Sequence, residues 1–302
     1  PVLRNVKLIA EAWDAGGLYQ VGSFPAFTRW AEWNGKYRDD MRSFLKGDYW
    51  FAQAAASRLT GSLDLYTGQY KGYDSSINFL TCHDGFSLWD LYSYNGKHNE
   101  ANGWNNSDGN DDNRSWNCGV EGETEDPDIR ALRLRMMKNA CVALMCSRGT
   151  PMFLAGDEFG DTRFGNNNPY CQDNEISWLD WKRLETNQEL YRFFRKMIWF
   201  RREHPAIRSD QEPSKTGFPA VSIHTDRAWD CSIDRETKAL AVCYAGKTDQ
   251  GEDLVYMALN VYWEEQSFEL PKLSEDYEWR CFADTALDGI GEENGEAAIT
   301  EY

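Results

Sequence analysis

The residues with chemical potential gather at the ends of apolar runs. Glu11 closes the run at residues 6–10, His83 and Asp84 close the run at 77–82, and Asp157 and Glu158 follow the run at 152–155. Acids placed this way suit hydrolysis of a glycosidic bond. One carboxyl protonates the leaving oxygen, and another supplies a nucleophile or stabilises an oxocarbenium-like state. His83 adds a donor for a sugar hydroxyl. Plainer readings stand beside this one. Acids at strand ends are often solvated loops or helix caps. His83 and nearby acids could also hold a metal, but the sequence has no H-x-H or H-E-x-x-H spacing. Cys82 and His83 are strand neighbours and point to opposite faces, which argues against a Cys–His nucleophilic pair. Gly16-Gly17 matches neither phosphate-loop fingerprint. Asp108, Asn110 and Asp112 have the first spacings of a calcium loop, but Asn113 replaces its glycine and Gly119 its twelfth-position acid.

The elements that must position these groups follow from the pattern. Short apolar runs at 6–10, 29–33, 77–82 and 152–155 read as strands buried on both faces, as in a parallel sheet. Reactive groups lie at the C-terminal ends of such strands. Residues 39–45 and 49–59 read as helices, and Ser87 with Asp90 forms a capping-box pattern. Asp126-Pro127 opens a helix whose face carries Ile129, Leu132, Met136, Ala140 and Leu144. Leu190, Phe193, Phe194 and Met197 mark another, which Pro205 stops. Residues 95–117, with eight Asn and three Gly, read as a long polar loop. After about residue 213, alternating runs at 220–224, 239–244, 254–261, 267–270 and 279–283 read as an antiparallel β-sandwich. The expected fold is α/β over residues 1–205, followed by a β-sandwich over 206–302.

Composition narrows the partners. The 302 residues hold 49 Asp+Glu against 32 Lys+Arg, a formal charge of −17. Such a chain is a poor general binder of nucleic acid or anionic lipid. No apolar run approaches the roughly 20 residues of a membrane span, and mean hydropathy is −0.68. A neutral polar substrate remains compatible. The 13 Trp, 15 Tyr and 15 Phe can pack a core or stack on sugar faces. The 8 Cys include no C-x-x-C pair, which suits a reducing compartment and a cytoplasmic location.

Several stretches resemble glycoside hydrolase family 13, the α-amylase family. Leu8-Ile9-Ala10-Glu11-Ala12-Trp13-Asp14 resembles its fifth-strand motif, and Asn78-Phe79-Leu80-Thr81-Cys82-His83-Asp84-Gly85 its seventh. Gly149-Thr150-Pro151-Met152-Phe153-Leu154-Ala155-Gly156-Asp157-Glu158 resembles the eighth. Glu32-Trp33-Asn34-Gly35-Lys36-Tyr37-Arg38-Asp39 and Gly165-Asn166-Asn167-Asn168-Pro169-Tyr170-Cys171-Gln172-Asp173-Asn174 are similar to the isoamylase and bacterial glycogen-debranching subgroup. The resemblance implies the C-terminal half of a (β/α)8 barrel, strands five to eight, followed by the family's C-terminal β-sandwich. It implies hydrolysis of α-1,6 branch linkages of glycogen, amylopectin-like glucan or limit dextrin by a retaining mechanism. Such acid/base chemistry requires no cofactor, and the sequence shows no convincing metal site. Glu11 would be the general acid/base and Asp84 the transition-state stabiliser. His83 would bind the sugar at the cleavage point. Trp13 is equally suited to stacking on a glucose or packing a core. Tyr170 is equally suited to lining the branch-accepting cleft or to a structural role. Asp157 and Glu158 would hold the loop after the eighth strand.

One departure stands out. The family's nucleophile lies in an R-x-D pattern at the end of strand four, upstream of the fifth-strand motif; that motif begins here at residue 7, so the strand-four segment is not among these 302 residues. The chain is therefore expected to be part of a longer debranching enzyme, inactive alone, with open half-barrel edges that invite self-association. An α-1,4-acting hydrolase or transferase of the same family, and a non-catalytic glucan-binding module, are the alternatives.

Overall fold

The computed structural model describes residues 6–24, 29–67, 72–287 and 298–299. Four strands form one sheet in sequence order: β1 (Leu8–Ala10), β2 (Trp30–Trp33), β3 (Ser76–Phe79) and β4 (Thr150–Met152). Every pair is parallel, with Ala10 opposite Glu32, Glu32 opposite Ser76, and Ile77 opposite Thr150. Two strands run shorter or earlier than the apolar runs suggest. β3 stops at Phe79, not Cys82, and β4 ends at Met152, where the run begins. Side-chain competition is the physical reason. The Asp157 carboxylate accepts from the Leu154 N–H (3.1 Å), taking that backbone donor out of the ladder after β4, and from the Thr81 hydroxyl.

Helix α1 (Gly35–Leu45) starts four residues earlier than the periodicity predicts. Asn34 is the cause. Its Oδ1 accepts from the Tyr37 N–H at 2.9 Å, while its Nδ2 donates to Ser62 and Ser76 and its N–H to the Ile77 carbonyl. The cap thus joins the helix start to β3. Tyr37, Met41 and Phe44 are fully buried. Helix α2 (Ala52–Leu59) starts late because Trp50 sits at φ 77, outside helical geometry.

The Ser87 hydroxyl accepts from the Asp90 N–H (3.3 Å), which starts α3 (Leu88–Leu91). Asp90's carboxylate goes elsewhere, as described below. Helix α4 (Pro127–Met145) begins as expected, with Asp126 accepting from Asp128 and Ile129. A short helix α5 (Lys182–Thr186) precedes α6 (Gln188–Glu203), which buries Leu190, Phe193, Phe194 and Met197. Pro205 does more than stop it. It is the first residue of α7 (Pro205–Arg208).

The later strands are antiparallel. β5 (Val221–His224), β6 (Ala239–Thr248) and β7 (Gly251–Asn260) form a three-stranded sheet in that order. β6 and β7 pair from Ala239–Asn260 to Thr248–Gly251, closed by a two-residue turn. Leu240 to Ala245 are all buried. The expected strand at 267–270 reduces to one bridging residue, Glu269, whose N–H donates to the Asp226 carbonyl (2.8 Å). β8 (Trp279–Arg280) pairs with β9 (Ala298–Ile299). The end of the expected sandwich at 288–297 and 300–302 lies outside the described residues.

The chain divides into two compact units. One holds Pro1–Phe79, Leu144–Met152 and Arg201–Pro271, and thus both larger sheets. The other holds Leu80–Ala143, Phe153–Phe200 and Lys272–Tyr302. In the first unit Arg201, buried, donates to the carbonyls of Met145, Ser147 and Gly149 and fixes the approach to β4. Among the described residues, no helix is long and apolar enough to cross a membrane.

Candidate active site

In the first unit, Glu11 directly follows β1 and is exposed. The stretch behind it folds on itself. Asp14 Oδ1 accepts from the N–H groups of Gly16 (2.8 Å) and Leu18 (3.0 Å), and Gln20 donates to the Ala12 carbonyl (2.7 Å). This turn brings Trp13 and Tyr19 into a ring stack, 6.0 Å between centroids. Trp13 is half-buried, and Tyr19 is its partner. Gly35 leaves the space they occupy: a Cβ there would lie 2.7 Å from the Tyr19 hydroxyl and 3.5 Å from the Trp13 ring. Burial, assisted by Asp39, pushes the Tyr19 phenol up to about 12.

In the second unit, Cys82 is buried and its thiol faces the Asp84 carbonyl (3.2 Å), while His83 and Asp84 are exposed. Cys82 and His83 thus differ in burial, but they lie past the end of β3, outside strand geometry. His83 Nε2 lies 3.3 Å from Asp84 Oδ2. The next residue, Gly85, sits at φ 99 and donates its N–H to the Asn167 carbonyl at 2.9 Å. That single bond attaches the Asp84 loop to a network the sequence reading missed.

The polar loop at 95–117 is not a solvated tether. Asn167, buried, donates from Nδ2 to the Asn110 carbonyl (2.7 Å) and Asn113 Oδ1 (2.8 Å), and accepts at Oδ1 from Asn99 (2.8 Å). Its N–H donates to Asn99 Oδ1. Asn166 donates to Asn102, and Asn102 and Asn168 both donate to Asp108. Those bonds, Asn102's first, hold the Asp108 carboxyl below its usual range. Gly109 is required where the two loops touch. It sits at φ 75, and a Cβ would lie 2.3 Å from Asn167 Oδ1. The available signal was two separate asparagine-rich stretches with matching donors and acceptors. Tyr170 stands just past this clasp, in the turn Pro169–Cys171, with 71% of its surface exposed.

Two buried acids brace the same unit. Asp157 accepts from Thr81, Leu88 and Leu154, and burial pushes its carboxyl up to about 7. Asp90 accepts from the Thr162 hydroxyl and from the N–H groups of Arg163 (2.8 Å) and Gly165 (3.3 Å), and burial pushes it up to about 6. Glu158 accepts from the Gly156 N–H (2.9 Å). With every oxygen of Asp157 and Asp90 occupied by protein donors, these acids shape loops.

This parallel sheet with an antiparallel sheet is a pullulanase-like α/β fold. The chain aligns over 98% of its length with pullulanase from Bacillus acidopullulyticus (TM-score 0.67, 20% identity, 32% of that chain). It aligns over 99% with pullulanase type I from Bacillus subtilis, solved with maltose (TM-score 0.65, 18% identity, 38% of that chain). No family model matches the chain. Among curated proteins, it is 53% identical over 241 residues to the glycogen operon protein GlgX homolog of Mycobacterium tuberculosis, covering 78% of this chain and 33% of that protein. It is 46% identical over 288 residues to chloroplastic isoamylase 3 of Oryza sativa, covering 95% and 36%. The chain belongs to the isoamylase and glycogen-debranching group of glycoside hydrolase family 13. It spans about a third of the length of these relatives.

Proposed function

We propose that the protein carrying this chain hydrolyses α-1,6 branch linkages in glycogen or amylopectin-like glucans with retention of configuration. One observation carries the reading. Glu11 and Asp84, both exposed, come just after β1 and β3, and these strands run parallel in one sheet, so the chain leaves both at the same edge. The isoamylase and GlgX names of the relatives supply the substrate class. Glu11 protonates the glycosidic oxygen as the C1–O bond breaks, and a carboxylate nucleophile forms the glycosyl intermediate. Glu11 then takes a proton from the water that releases it. Asp84 accepts from sugar hydroxyls and disperses the positive charge developing at C1. His83, paired to Asp84, donates to the same sugar. Trp13 borders the neighbouring glucose, and Tyr170 lines the branch side.

Further parts of the reading follow from it. The parallel sheet is the second half of a (β/α)8 barrel, since its strands keep sequence order instead of reversing as in a doubly wound sheet. Residues 1–205 belong to that barrel and 206–302 to the β-sandwich. The R-x-D nucleophile comes from another part of the parent, so the 302 residues alone are inactive and self-associate. The buried thiols of Cys82, Cys118, Cys141, Cys146 and Cys243 suit the cytoplasm.

The test uses the full-length parent. It should release reducing ends from amylopectin with loss of α-1,6 signals by NMR, and Glu11→Gln should abolish this. Loss of α-1,4 signals instead would point to the α-1,4-acting alternative. Hydrolysis by the isolated chain, or a monodisperse monomer by light scattering, would refute the claims made for it alone.

A further inference from the structure

The antiparallel sheet carries a cavity of about 430 Å³ that shares no residue with the Glu11 and Asp84 edge. That volume falls within the range of small-ligand sites. Its lining is polar and of mixed charge: Asp226, Arg227, Glu236 and Gln266 contribute, beside the Tyr262 ring. Such a lining offers donors and acceptors together, with no dominant sign to select an ion. It matches a ligand whose own groups both donate and accept, and hydroxyls do so.

Three walls form the cavity, and each is fixed before any ligand arrives. In the first, Thr225 and Asp230 are tied by backbone (2.7 Å) and side-chain (3.2 Å) bonds, and the Trp229 N–H donates to His224 Nδ1. This holds Trp229 at φ 68, a conformation bulky residues rarely adopt. In the second, Asp234 accepts from the Glu236 N–H and the Thr237 hydroxyl. Lys238 then donates to the Gly47 carbonyl and lies 3.9 Å over the Tyr49 ring. In the third, Asn260 accepts from the Tyr262 N–H and donates to the Glu264 carbonyl. Walls fixed by the protein's own bonds leave little ordering cost to binding.

One aromatic ring, Tyr262, lines the cavity, and chain neighbours of lining residues bring further rings close to it. Tyr262 is backed by Trp263, 3.9 Å between ring centroids, and Trp263 is 77% exposed. Beside the second wall, Trp50 is 67% exposed, held at φ 77 with its N–H on the Arg235 carbonyl and the Arg235 guanidinium over its ring. An indole left in water and anchored at its backbone offers a flat apolar face beside polar groups. A pyranose presents the complementary surface, an apolar face edged by hydroxyls.

We infer that this cavity, with Trp263 beside it, is a second saccharide site that takes the glucosyl units of an α-glucan and tethers the protein to its polymer. The choice of α-glucan over another sugar rests on the function proposed above.

The experiment uses the full-length parent in native gels containing amylopectin, with Trp263→Ala and Gln266→Ala. Trp263 is exposed and Gln266 half-buried, so thermal unfolding is measured alongside to check that both variants fold. Each variant should bind the polymer about two- to tenfold more weakly, while kcat/KM on a short branched oligosaccharide stays at the parent value. Retardation equal to the parent's in both variants overturns the site. Glu11→Gln separates the two claims. If it leaves α-1,6 hydrolysis intact while Trp263→Ala still weakens retardation, the acid/base role of Glu11 falls and the tether stands; if the parent itself shows no α-1,6 hydrolysis, the proposed function falls. If Glu11→Gln abolishes hydrolysis while Trp263→Ala changes nothing, the tether falls alone.

Discussion

The stretches behind β1 and β3 each deliver an exposed acid, but they are held in opposite ways. Behind β1, Asp14, Gly16, Leu18 and the Trp13–Tyr19 stack make a turn from neighbours in sequence. Behind β3, the Asp84 loop is held by Gly85 on Asn167, and Asn167 by Asn99, Asn110 and Asn113. Local bonds re-form after a local change. A buried network of distant partners does not, because removing one member leaves several polar groups unpaired at once. Glu11 and Asp84 therefore differ in what protects their geometry.

The sharpest way to use this difference is to remove the acids. In the full-length parent, Glu11→Gln and Asp84→Asn should each lower kcat by about 10²- to 10⁴-fold with an unchanged melting temperature, because both are exposed. A large loss of stability in either would mean that the acid is a structural bond. The next contrast sets the two supports against each other. Asn167→Ala should cost about 2–4 kcal/mol, from several buried groups left unpaired, and Asp14→Ala about 1 kcal/mol, from an exposed turn. Urea unfolding measures both, and the reverse order would invert the comparison.

Asp157 sharpens it through pH. Its folded value is raised from 3.8 to about 7. The folded chain thus keeps a proton that the unfolded chain gives up. Stability from this group is full below about pH 4 and is lost as pH rises through about 7. Calorimetry between pH 5 and 8 should show a flatter dependence of melting temperature for Asp157→Asn than for the unaltered chain; equal slopes would show that Asp157 titrates as an ordinary acid. The smallest effect belongs to Tyr170. With its ring in solvent, Tyr170→Ala should change stability by under about 0.5 kcal/mol, and a rise in KM for branched substrate alone would place it on the branch side.

The sequence reading carries far where local chemistry decides. Asp126-Pro127 starts α4, and the apolar face of α6 is buried as its spacing implies. It falls short where a distant partner decides. Nothing beside Phe79 in sequence announces that the Thr81 hydroxyl will bond Asp157, 76 residues on. The S-x-x-D pattern at Ser87 marks a helix start, yet the Asp90 carboxylate serves residues 162–165. Glu11, His83 and Asp84 stand out as candidates because motifs are local strings. The asparagine clasp is not, because each asparagine looks like loop until its partner is in place.

The two larger sheets also differ in how soon they can exist. β6 and β7 meet across a two-residue turn, and hairpins close in roughly 1–10 μs. β3 and β4 pair Ile77 with Thr150, across the whole asparagine loop and α4. Contacts that distant must await loop closure, and their search slows folding. A chain emerging during synthesis completes its hairpin within moments of exposing it. Its parallel sheet stays one strand short until the 80–149 segment has been made and gathered, and until then β3 waits as an unpaired edge.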